Sequence, residues 1–121
     1  MKQKERLKIL LPTLRGRDRY IAFQVFSEYD IRYADLEAAI WDTLLDFFGE
    51  IGVSQMSLWL IKNLYDEERQ IGVVRCNNKS VERVVAGLGF VSRLGDNRIT
   101  IKIFKVSGTI KGLRIGKTNL N

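Results

Sequence analysis

From Arg19 the chain alternates apolar and polar positions through RYIAFQVFS (19–27), which puts Ile21, Phe23 and Val25 on one face. A period of two, rich in aromatic and β-branched residues, predicts a strand. The period then lengthens. In ADLEAAIWDTLLDFFGEIG (34–52), Leu36, Ile40, Leu44 and Phe47 recur at helical spacing, with Asp35, Glu37, Asp42 and Asp46 on the other faces. This predicts an amphipathic helix that Gly49 and Gly52 are suited to end. Two short apolar runs follow, SLWLIKNLY (57–65) and QIGVVRCN (70–77), joined by Asp66-Glu67-Glu68-Arg69 in the manner of a hairpin. Ser80 is an expected N-cap for SVERVVAGLGFVSRLG (80–95), where Val81, Val84, Val85 and Leu88 share a helical face. Gly95-Asp96-Asn97 signals a turn. The final run, RITIKIFKV (98–106), has Ile99, Ile101 and Ile103 inward and Thr100, Lys102 and Phe104 outward.

The order is β-α-β-β-α-β, the split βαβ arrangement. The expected fold is therefore α+β: a ferredoxin-like or RRM-like sandwich, with a four-stranded antiparallel sheet and both helices on one face. Pro12 is the only proline. The expected organisation is a basic N-terminal arm (1–17), a core (18–107) and a basic C-terminal tail (108–121).

Composition narrows the chemistry. A chain of 121 residues, 45% apolar, is one ordinary globular domain by length and content. No apolar run approaches the roughly 18 residues that span a bilayer, and Ile9-Leu10-Leu11 is too short for a signal segment. A soluble, cytoplasmic protein with no membrane partner is the expectation. Cys76 is the sole cysteine and histidine is absent. An intrachain disulfide, Cys/His zinc sites and the Ser-His and Cys-His nucleophile pairs are thereby excluded. The acids of the first helix read as a solvated face, and Cys76 as a small core hydrophobe.

Charge is segregated. Residues 1–19 carry seven Lys/Arg and two acids; residues 20–97 carry seven and twelve; residues 98–121 carry six and none. The differences are +5, −5 and +6. In the expected sheet the last strand lies antiparallel beside the first, so the two basic ends meet around Arg15, Arg17, Arg19, Lys111, Arg114 and Lys117. Such a pole suits phosphates. Alternating arginines in RGRDRY (15–20) point the same way when extended and can fork onto successive phosphates. GLRIGKT (112–118) contains G-K-T, but its glycines are one residue too close for a phosphate-binding loop. With only three residues after Thr118, no helix is expected there to lend its N-terminus. QIGVVRCN has no aromatic, so base stacking on the two central strands of an RRM is not expected. Trp41 and Trp59 read as packing or interface residues.

LPTLRGRDRYIAFQV (11–25), WLIK (59–62) and KVSGTIKGLR (105–114) together resemble the protein component 2 family of archaeal and eukaryotic ribonuclease P. The most specific parts are Arg19-Tyr20 opening the first strand and Val106-Ser107-Gly108-Thr109-Ile110-Lys111-Gly112 after the last. The resemblance implies a noncatalytic subunit of a ribonucleoprotein that removes the 5′ leader from precursor tRNA. Implied partners are the ribonuclease P RNA, precursor tRNA and a TIM-barrel-like protein subunit, with homodimerisation inside a heterotetramer as one arrangement. It also implies that the protein binds no cofactor, Mg²⁺ being held by the RNA. The implied RNA-binding residues are Arg15, Arg17, Arg19, Tyr20, Ser107, Gly108, Thr109, Lys111, Arg114 and Lys117. The tail, IGKTNLN, is less basic than the family pattern. Rival readings are a free-standing RNA-binding module, a small phosphohydrolase and a dimerisation domain.

Overall fold

The alternating run that starts the domain forms β1 (Asp18–Ser27) in the computed structural model, which describes residues 17–114. Next comes α1 (Tyr33–Ser54), longer than its periodicity suggests. Leu36, Ile40 and Leu44 are fully or nearly fully buried, but the next core position is Phe48 rather than Phe47. A step of four keeps a residue on the buried face, whereas a step of three here turns Phe47 out to 53% exposure. Gly49 does interrupt the helix: it takes φ +71 and ψ 172, non-helical and open to glycine at no steric cost, and a second helical stretch runs on from the kink to Ser54.

The expected second strand is cut to β2 (Trp59–Leu60), because the chain turns at once into a short 3₁₀ segment, Lys62–Leu64. β3 (Ile71–Asn77) pairs with it. After another 3₁₀ turn comes α2 (Val81–Gly89). The Ser80 hydroxyl does not cap this helix; it accepts from Arg83 Nη2 at 3.2 Å. Gly87 has a packing role: a Cβ there would lie 2.1 Å from Leu44 Cδ2, so its hydrogen lets α2 close onto α1. The second half of the expected helix instead forms β4 (Arg93–Leu94), which turns through Gly95 (φ +61) into β5 (Asn97–Ser107). A single turn, α3 (Ile110–Leu113), closes the described chain.

Among the described residues the sheet thus has five antiparallel strands, not four, in the order β2-β3-β1-β5-β4. The four expected strands are neighbours in the expected order, and β4 is added at the β5 edge. On one face Ile21, Phe23, Val25, Val74, Cys76, Ile99 and Ile101 pack against residues of α1 and α2, including Leu36, Leu44, Val84 and Leu88. On the other, Ala22 and Val73 are covered by Leu113 of α3, flanked by Tyr20, Ile61 and Leu64. Among the described residues no helix is long and apolar enough to cross a membrane.

Three titratable groups tie the frame to alkaline pH. Burial, helped by the charge of Asp18, pushes the Cys76 thiol from 9.0 up to about 11. Burial and nearby carboxylates push the Tyr33 and Tyr65 hydroxyls from 10.0 up to about 12. Tyr33 donates to Leu60 O at 3.0 Å and Tyr65 to Ile31 O at 2.6 Å. Each group ionises first in the unfolded chain, so the folded state holds more protons in the window between the two values, and stability falls as pH rises there. The urea midpoint should therefore be flat up to pH 9 and decline from pH 9 to 11. Cys76→Ala should remove the part of the decline that begins near pH 9. A midpoint profile that Cys76→Ala leaves unaltered in shape would show that the thiol ionises equally in both states.

Candidate nucleic-acid interface

The site depends on one irregularity. β1 and β5 pair from Ser27↔Ile99 to Phe23↔Ile103, then the register jumps so that Ala22 meets Lys105 and Tyr20 meets Ser107. Phe104 is the extra residue of this bulge, 47% exposed. Strict alternation would have carried its parity to the end of the strand. The bulge instead brings Lys105 and Ser107 onto the face shared by Ala22 and Tyr20, and delivers the following turn to the start of β1.

There, Arg17, Asp18, Arg19, Tyr20, Gly108 and Thr109 line one shallow concavity of about 530 Å³. The arginines' backbone is fixed by strand pairing, Asp18 with Asn77 and Arg19 with Cys76, and the Arg17 carbonyl accepts from Asn78 N at 2.7 Å. The Arg19 guanidinium donates to Asp18 O at 2.9 Å and stands beside Gly108, where a Cβ would sit 3.5 Å from Nη1, an ordinary contact. The Arg17 side chain is exposed.

The turn beyond β5 is closed by its own hydroxyls. Ser107 Oγ accepts from Thr109 N at 3.2 Å, and Thr109 Oγ1 accepts from Gly112 N at 3.0 Å, an N-cap on α3. Accepting leaves each hydroxyl proton as a donor. Gly112 packs directly against these hydroxyls: a Cβ would lie 2.2 Å from Ser107 Oγ and 3.0 Å from Thr109 Oγ1, so a larger residue would force the Ser107 hydroxyl to turn away. Lys111 and Arg114 are exposed, and Arg114 takes φ +55 where the turn ends. Arg15 and Lys117 lie outside the described residues.

The structure thus brings together eight of the sequence-derived candidates at one end of the sheet: Arg17, Arg19, Tyr20, Ser107, Gly108, Thr109, Lys111 and Arg114. It adds residues that the sequence reading passed over. Arg75 pairs across strands with both Tyr20 and Trp59. Leu113, 2% exposed, anchors α3 on Ala22 and Val73. Cross-strand neighbours follow from register, which strand-by-strand alternation does not give.

The model of the Rpp14/Pop5 family matches residues 19–115. The chain belongs to this family. Its relatives include ribonuclease P protein component 2 of Pyrococcus furiosus, 44% identical, covering 91% of this chain and 90% of the relative. The protein of the same name from Pyrococcus horikoshii is 39% identical, covering 90% and 89%. That from Methanocaldococcus jannaschii is 32% identical, covering 92% and 80%. A chain in the cryo-EM structure of yeast ribonuclease MRP shares the fold, with a TM-score of 0.64, 12% identity, and coverage of 85% of this chain and 82% of that one. Family membership bears out the resemblance carried by Arg19-Tyr20 and the 106–112 turn.

Proposed function

We propose that the chain is a protein subunit of ribonuclease P that binds the catalytic RNA and supports Mg²⁺-dependent removal of the 5′ leader from precursor tRNA. By itself it is noncatalytic, and a TIM-barrel-like protein subunit is its partner in the assembly. The observation that carries this reading is the meeting of Arg17 and Arg19 with the Gly108-Thr109 turn in one concavity, in a chain whose relatives are named ribonuclease P protein component 2. Guanidinium groups, hydroxyl donors and exposed Lys111 and Arg114 are the set that grips a phosphate backbone without reading bases. The sheet is best read as ferredoxin-like with one added edge strand.

Among the described residues no group of three or more acidic or thiol side chains is arranged to hold a metal ion. In this reading the Mg²⁺ of the reaction is held by the RNA.

The test is reconstitution. Cleavage of precursor tRNA at low Mg²⁺ by the cognate RNA and the TIM-barrel-like subunit should depend on adding the chain. RNA binding without any effect on cleavage would instead favour a free-standing RNA-binding module.

A further inference from the structure

Trp59 opens β2 and is 60% exposed, although it stands on a strand of the central sheet. Its neighbours are fixed by register. Trp59 pairs with Arg75, Arg75 with Tyr20, and Tyr20 with Ser107. Paired residues project to the same side, so these four form one row across β2, β3, β1 and β5. At three strand spacings the row is about 14 Å long. Alternation along β1 and β3 puts it on the face that carries Ala22 and Val73, where Leu113 docks and Tyr20, Ile61 and Leu64 pack against the cluster. One end of the row is an uncovered indole. The other is the turn that lines the arginine concavity.

The setting is cationic. Arg75 lies within the row, and exposed Lys111 and Arg114 flank Leu113 on the turn docked beside it. The acids of the β2–β3 connection are held away, since Asp66 bridges to Ile71, at the opposite end of β3 from Arg75. A protein partner is the other class that takes an exposed tryptophan. The charge around this one, and its continuity with the concavity, favour a nucleic acid. An RRM stacks bases on its two central strands; here the aromatic stands at the sheet edge, on a strand only two residues long.

We infer that Trp59 stacks on an unpaired base of single-stranded RNA whose backbone continues past Arg75 to the arginine concavity. The inference rests on the RNA-binding reading above and adds the class of strand and the residue that holds its base. Stacking on an aromatic face tolerates any base and releases no counterions, so it contributes affinity without salt dependence.

The test uses the full chain with Trp41→Phe, which leaves Trp59 as the only indole, titrated with a short single-stranded oligoadenylate. Indole emission should be quenched as the oligonucleotide binds, whereas inorganic polyphosphate should bind without quenching. Trp59→Ala should weaken oligoadenylate binding about tenfold with an unchanged salt slope, and Trp59→Phe should restore most of it. Affinity for a blunt RNA duplex should not move. If the chain binds oligoadenylate with neither quenching nor loss in Trp59→Ala, the stacking role is overturned while the RNA-binding reading stands. If the parent chain binds no RNA, both fall.

Discussion

Reversing Arg17 and Arg19 together to Glu should lower affinity for the ribonuclease P RNA by about a hundredfold at moderate salt and leave the fold intact. The effect is large because each change removes a cation from beside a phosphate and puts an anion there. The fold should survive because both positions are tied to the sheet through their backbones. The Arg17 side chain is exposed, and its link to the body is a backbone carbonyl accepting from Asn78 N. The Arg19 guanidinium donates to the neighbouring Asp18 carbonyl, while its backbone stays paired with Cys76. Binding should also lose about two units of the log-affinity against log-salt slope, one for each phosphate no longer neutralised. Titrations of parent and variant at several salt concentrations would measure both quantities. An unchanged slope with reduced affinity would mean that the arginines act by shaping the turn; no change in either would remove them from the interface.

The sequence carried the elements that rest on burial, because an apolar stripe is written in the chain at the period of its own structure. Ile21, Phe23 and Val25 lie inside, as do Leu36, Ile40 and Leu44. It was less informative where tertiary contact overrides a local rule. Gly87 weakens a helix by propensity, yet it suits the packing, because Leu44 occupies the space a Cβ would fill and would have to shift. Gly49 does break the helix, but a further helical stretch to Ser54 follows the kink, with Val53 buried in the core, and no apolar stripe in the sequence announces it. β4 was hidden because two residues hold no period, and only pairing with Arg98 and Asn97 makes Arg93 and Leu94 a strand.

The candidate site was legible in composition and topology, and partly illegible in register. Opposite charge segregation in the ends and the body, combined with an antiparallel first and last strand, brought the arginines and the glycine-containing turn to one place. Nothing in the local sequence KIFKVSG announces that Phe104 is a bulge. Without it, the face on which Lys105 and Ser107 stand would be reversed. The extra residue is opposed by the Ala22–Phe23 step, far earlier in the chain, where small Ala22 packs against Leu113. The bulge and the docking of the turn are therefore one arrangement.

Leu113→Ala should separate that arrangement from the rest of the fold. Leu113 is the buried anchor of a four-residue helix, held otherwise by the Thr109 cap and by short backbone bonds. Truncating a buried leucine costs about 2–3 kcal/mol at minimum, more than a single helical turn can offset on its own. The loss should appear as local opening. Amides of Thr109 and Gly112 should exchange at nearly solvent rates, while those of β1 and β3, whose helix-side packing does not involve Leu113, keep their protection. Lys111 and Arg114 would then no longer be held beside the arginine concavity. RNA affinity should fall and the salt slope lose up to about two units, although no charge has been changed. Adding Lys111→Ala to this variant should cost far less affinity than it does in the parent, because a detached lysine has little left to lose. Equal costs in the two backgrounds would show that Leu113 stabilises the sheet without positioning the turn for RNA.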